Sequence, residues 1–279
     1  MKIGLSAFAW TSHFTEAHVP LVAQVADHGF DAFEIAMFDP SALPIRSLWQ
    51  AFEAARIEPT ICAILPPGIN PISPDPAIRK RSVEHLKVCI ETAVEIGAHL
   101  VGGPLYAPIG YLPAHRPQPD EWAWAIEAFQ SLIPLLDQHS LTLGIEPVNR
   151  LETFFLRTAQ EARALCEEID HASIGVTLDT FHANIEEKNI PSAIDHLGPS
   201  LRHIHLSEND RSLLGSGHIN FLAILAALKR NHYTGMLMIE GFGFSPTETS
   251  APGTLWAEMT VSPDRLATQG LAYVRQLLQ

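Results

Sequence analysis

Residues 201–211 read LRHIHLSENDR, and the place of His205 in that stretch decides how the chain folds. A short apolar strand ends at the histidine and a polar loop follows at once. Three other short runs rich in Val, Ile, Leu or Met close on a carboxylate: LTLGIE at Glu146, SIGVTLD at Asp179 and GMLMIE at Glu240. Steps of 33, 26 and 35 residues separate Glu146, Asp179, His205 and Glu240, each about one strand–loop–helix unit long. The spacing predicts that consecutive units bring one side chain each to a common point. His205 reads there as a metal ligand, with the three carboxylates as its partners.

Outward from these ends the same alternation continues. Strands are expected at 3–5, 32–36, 58–65, 99–103, 142–146, 174–179, 203–206 and 236–240. Helices are expected at 19–28, 43–55, 78–97, 121–139, 158–169, 191–197, 221–231 and 263–278, with Ser73 before Pro74-Asp75-Pro76 as an entry signal for the third. Strand and helix signals alternate with no linker or change of composition, which predicts an α/β fold of the (β/α)8 type, a parallel barrel in a single domain over 1–279. In such barrels the chemistry lies at the C-terminal ends of the strands, where all four candidate ligands fall. The long loop PLYAPIGYLPAHRPQPDE (104–121) reads as functional because of its length.

Composition narrows the class. Apolar residues make up 47% and charged residues 18%, enough apolar side chain for a large core. A net charge of −13, with no basic run longer than Arg79-Lys80-Arg81, argues against a nucleic-acid partner. Three widely spaced cysteines in apolar surroundings (Cys62, Cys89, Cys166) read as reduced thiols of a cytoplasmic protein. There is neither a signal-like N-terminal run nor an apolar stretch of about 18 residues, so no membrane association is expected.

Three carboxylates and one imidazole suit a hard divalent cation, Mn2+, Mg2+ or Co2+, better than a thiolate-seeking one. A ketone chelated by such an ion has an acidic α-proton, because the metal stabilises the enediolate that forms. Glu146 and Glu240, on strands five and eight, would approach from well-separated directions, which suits proton removal on one face and return on the other. Taken singly, a glutamate at a strand end is usually a surface or salt-bridging residue, and the four are persuasive only together. His203 shares a face with His205 and reads as a hydrogen-bonded barrel-interior residue. Trp10 reads by default as core, and Arg79, Lys80, Arg81 and the helix glutamates as solvated charge.

The segments GIEPVNRLET (144–153), GVTLDTFHANIEE (175–187), HIHLSENDRSLLGSGHINF (203–221) and MLMIEGF (236–242) resemble the xylose isomerase-like TIM-barrel superfamily, most closely its ketose 3-epimerase branch of D-tagatose and D-psicose 3-epimerases. The resemblance extends to 73–98 and GGPLYAP (102–108), and so covers nearly the whole chain. It implies one Mn2+ (alternatively Co2+ or Mg2+) held by Glu146, Asp179, His205 and Glu240. Glu146 and Glu240 then serve also as the catalytic acid/base pair. It further implies that Glu152, His182 and Arg211 bind the substrate's O1–O3 end: Arg211 and His182 as donors, Glu152 as acceptor. The pocket for the far end of the sugar is expected near Trp10, Cys62, Leu105 and Tyr106. A homodimer or homotetramer is implied as well. Asn220 stands where an acidic residue is expected, and Gly241 where Ser is frequent.

The activity so implied is metal-dependent C3 epimerisation of free ketoses of the tagatose/sorbose, fructose/psicose or L-ribulose type. Sibling readings on the same metal site are aldose–ketose or hydroxypyruvate isomerisation and inosose dehydration. An abasic-site endonuclease, also of this superfamily, would need several metals and a basic groove, and the charge of −13 opposes that. A non-catalytic sugar-binding barrel gives no reason for two carboxylates to flank the metal.

Overall fold

The computed structural model describes residues 1–243 and 261–279. Eight parallel strands close into a barrel in sequence order. They are β1 (Lys2–Ser6), β2 (Ala32–Met37), β3 (Glu58–Ala63), β4 (Leu100–Gly103), β5 (Thr142–Ile145), β6 (Ile174–Asp179), β7 (Leu201–Leu206) and β8 (Met236–Ile239), with β8 pairing back onto β1. Both β2 and β6 are buried along their whole length, which is why they read as continuous apolar runs and not as alternating ones.

Outside the barrel lie α1 (Leu21–His28), α2 (Ile45–Ala55), α3 (Pro76–Ile96), α4 (Pro119–Gln130), α5 (Ile133–His139), α6 (Ala159–Ile169), α7 (Thr180–Glu186), α8 (Ile190–Leu197), α9 (Phe221–Arg230) and α10 (Pro263–Leu278). Their ends follow local chemistry. Helix α6 opens on a capping box in which Thr158 accepts from the Glu161 backbone and Glu161 reaches back to the Thr158 backbone. Helices α1 and α3 stop at Gly29 and Gly97, both left-handed.

Three expectations change. The helix expected over 121–139 is two helices, because Pro134 has no N–H to donate to the carbonyl one turn back. Helix α3 is entered through Asp75, whose carboxylate accepts from Ala77 N, while Ser73 accepts from Asp75 N one step earlier. Helix α7 was not expected. Its seven residues carry no clear apolar period, and it starts because Asp179 accepts from Phe181 N at 2.7 Å.

The barrel interior beneath the strand ends is polar. Glu34, Thr60, Thr177 and His203 are all buried there. Small residues on β4 and β5 make the room: a Cβ on Gly144 would stand 2.2 Å from Thr177 Oγ1. His203 Nε2 lies 3.0 Å from Glu34 Oε2, a buried polar pair, as the interior reading of that residue expected.

Candidate active site

Barrel register brings the four strand-end residues together. Asp179 and His205 are direct partners across β6 and β7. Glu146 and Glu240 each lie one residue past a strand, held by one further ladder bond: Glu146 N donates to Gly103 O and Glu240 N to Leu206 O, both at 3.0 Å. At Gly103 (φ 130°) the backbone turns so close to β3 that a Cβ would sit 2.1 Å from Ala63 O. Only glycine fits there.

All four side chains are buried. His205 Nδ1 lies 3.7 Å from Glu146 Oε1 and 3.7 Å from Glu240 Oε2, and it has no hydrogen-bond partner among the described residues. Ligand atoms of Asp179, His205 and Glu240 all fall within 4.8 Å of one another, as do those of Glu146, Asp179 and His182. An unpartnered buried nitrogen facing a surplus of buried carboxylates is what a hard divalent cation requires, so the residues present fit the group. In their own company these side chains are out of balance. Burial lifts the Asp179 carboxyl above its ordinary range although Arg211 pulls the other way. For His205 burial acts downward, but Glu34 and Glu240 outweigh it and hold the imidazole well above its usual value.

A cationic group does stand among the carboxylates. Arg211 Nη1 donates to Asp179 Oδ2, to Glu240 Oε2 and, at 2.8 Å, to Ser207 Oγ. Its guanidinium stacks 4.2 Å over the Phe181 ring. Arg211 occupies a left-handed backbone position (φ 60°) in the loop after β7. Glu208 shapes that loop from within: it is fully buried and accepts from the backbone of Gly215 and Ile219. Asn220, where an acidic residue was expected, caps α9 by accepting from Ala223 N.

Next to Arg211 runs a second chain of contacts. Arg211 Nη2 is 3.1 Å from His182 Nε2. His182 Nδ1 accepts from Asn149 N at 3.2 Å and lies 2.8 Å from Asn149 Nδ2, which donates at 2.9 Å to Glu152 Oε1. Burial drives His182 down to about 3, so the ring is neutral, and burial raises Glu152 above its ordinary value. Asn149 was not singled out in the sequence, although its place in EPVNRLE beside Glu152 was the available signal.

A cavity of about 310 Å3 opens onto this cluster. Glu146, Glu152, His182, Arg211 and Glu240 line its polar end. Phe8, Phe38, Ile64, Pro66, Pro104 and Ile109 line it too, as do Phe242, whose ring is 5.0 Å from the Arg211 guanidinium, and Cys62, which lies beside Glu240 and whose thiol is pushed well above its usual value by burial and the nearby carboxylates. Trp10 and Tyr106, expected here, do not reach the cavity. Tyr106 is fully buried and donates its hydroxyl to Leu156 O at 3.0 Å, and Trp10 packs edge-on against Phe33. Leu105 is likewise buried away from it. Phe8 from the SAFAW loop and Phe38 after β2 take those places. Sequence position alone did not separate Phe8 from Trp10, two residues apart in one loop.

Known proteins share this fold. Residues 22–276 match the family model of the xylose isomerase-like TIM barrel. A probable ketose 3-epimerase of Synechocystis sp. is 29% identical, over 100% of this chain and 97% of its own length. The D-psicose 3-epimerase of Ruminiclostridium cellulolyticum is 30% identical, over 100% of this chain and 98% of its own. The crystal structure of D-allulose 3-epimerase from Methylomonas sp. in complex with D-allulose superposes with a TM-score of 0.93, at 26% identity, covering 99% of this chain and 96% of that one. The chain is thus an enzyme of the isomerase class and belongs to the xylose isomerase-like TIM barrel family, alongside its ketose 3-epimerases.

Proposed function

We propose that the chain is a divalent-metal-dependent ketose 3-epimerase that inverts C3 of a free ketose, with Mn2+ as the expected ion and Co2+ or Mg2+ as alternatives. The observation that carries this reading is the pair Glu146 and Glu240, equidistant at 3.7 Å from the unpartnered nitrogen of His205. Glu146, Asp179, His205 and Glu240 would hold the ion. When bound, it would supply positive charge to the substrate's carbonyl and neighbouring hydroxyl and so acidify the C3 proton.

The remaining work falls to side chains of the chain itself. One of Glu146 and Glu240 accepts the proton from C3, and the other delivers one to the opposite face, so that the stereocentre inverts. Arg211 and the neutral His182 donate to substrate oxygens, and Glu152, positioned by Asn149, accepts from a hydroxyl. The apolar far end, with Phe8, Phe38 and Ile64, excludes water from that reaction. A small sugar is the partner this cavity supports. We propose a homodimer or homotetramer as the chain's assembly.

Conversion of D-fructose, D-tagatose, D-psicose and L-ribulose with Mn2+ in deuterated water tests the reading. Deuterium at C3 with an inverted product is expected, and Glu146→Gln and Glu240→Gln should each lower the rate by about 10²–10⁴-fold. Deuterium at C1 with an aldose product would replace epimerisation by aldose–ketose isomerisation.

A further inference from the structure

Glu34 lies on β2, and no part of the reaction above uses it. It is fully buried. A carboxylate in that position is costly unless it is paired. Its Oε2 accepts from Thr60 Oγ1 at 3.2 Å and sits 3.0 Å from His203 Nε2, while its Oε1 lies 2.9 Å from His205 Nε2. One carboxylate therefore faces two imidazoles on the same strand, whose rings stand 5.0 Å apart at 85°.

We propose that Glu34 is the positioning residue of the metal centre, clamping His205 from behind so that Nδ1 points at Glu146 and Glu240. A carboxylate oxygen is an acceptor, so the nitrogen 2.9 Å from it, Nε2, is the one placed to carry the hydrogen. The nitrogen left to bond a cation is Nδ1, which faces Glu146 and Glu240 at 3.7 Å each. A carboxylate that holds the outer nitrogen of a ligating imidazole fixes its tautomer and ring angle and raises its basicity. His203 and Thr60 in turn hold Glu34, so the clamp is anchored on β3 and β7 together. Glu34 touches neither substrate nor cation, and it acts through His205. The inference rests on the reading of His205 as a ligand.

Titration of the metal-stripped full-length chain with Mn2+ by calorimetry tests it without reference to turnover. Wild type should bind one ion per chain, and Glu34→Gln should bind one ion about 10–100-fold more weakly. Glu34→Asp keeps the charge but, one methylene shorter, cannot span both imidazoles, and it too should lose affinity. That second variant decides the matter if the first does not fold. Wild-type affinity in a folded Glu34→Gln, or in Glu34→Asp should the first not fold, overturns the clamp while leaving the metal centre intact. Two ions in wild type and one in Glu34→Gln would also overturn it, because Glu34 would then be a ligand in its own right. Absence of any binding by wild type would instead remove the metal centre, and the clamp with it.

Discussion

Glu208 and Ile219 are eleven residues apart and joined directly, the Ile219 backbone N–H donating to Glu208 Oε1 at 3.1 Å. A second bond, from Gly215 N to Oε2 at 3.0 Å, closes the loop on the same carboxylate. Arg211 sits inside that loop, its own N–H bonded to Glu208 O and its carbonyl to Phe242 N. The position of the guanidinium is thus set by a side chain that never meets it. Glu208→Ala leaves three backbone donors, those of Asn209, Gly215 and Ile219, without their side-chain acceptor and should cost about 1–3 kcal/mol in stability. Turnover should fall as well, chiefly in kcat/KM, since the loop no longer holds Arg211. Thermal melting and steady-state kinetics check both, and unchanged kinetics in a destabilised variant would separate the loop from Arg211.

Arg211 Nη1 pairs with Asp179 Oδ2 and Glu240 Oε2, oxygens for which the proposed cation would compete. Removing the guanidinium in Arg211→Gln strips the metal-free protein of the charge that balances them, a loss of about 3–5 kcal/mol for a buried pair. Mn2+ held at the proposed site would supply that charge again. The rise in Tm on adding Mn2+ should therefore be larger in Arg211→Gln than in wild type. Equal rises would show that the two cations do not share a place.

His182 makes the folded state sensitive to acid. Its folded value of about 3 lies below the unfolded value of about 6.5, so the unfolded chain binds the extra proton first. Stability from this group is complete above about pH 6.5 and is lost as pH falls toward 3, at up to about 1.4 kcal/mol per pH unit. His182→Asn, which keeps an acceptor near the Nδ1 position for Asn149, should flatten the acid limb of a denaturation series. An unchanged slope would assign the acid sensitivity to other groups.

Tyr106 offers a check on the cavity wall. Tyr106→Phe removes the bond to Leu156 O and should cost about 1 kcal/mol in stability. KM for a ketose should not move, because the hydroxyl does not face the cavity. A several-fold change in KM would return Tyr106 to the substrate pocket.

The barrel and the meeting point of its four strand ends were legible because both depend on spacing and on short apolar runs, which the chain displays openly. His203 was legible by the period of two alone. Glu34 was not. It lies inside the apolar run AFEIAM, and its meaning comes from contacts with His203 and His205, 169 and 171 residues away. Trp10 and Phe8 share one loop, and which of them turns to the cavity depends on a short 3-10 turn at Ala7–Ala9, not on residue type. The break before Pro134 was visible as a proline, yet the apolar pattern ran through it. Asp179 was read for its charge, and its second task, starting α7, came to light only with the backbone around it.

That second task has a consequence for descent. Asp179 gives one oxygen to Phe181 N and turns the other toward the site, so a lineage exploring new chemistry cannot exchange it without also disturbing how the segment after β6 is built. Among the described residues no backbone N–H donates to the side chain of Glu146 or Glu240, so both are freer to vary if selection on turnover relaxes. Among copies of this gene that lost their original activity, Asp179 should be the slowest of the acidic three to disappear, because its retention is enforced by architecture as well as by chemistry.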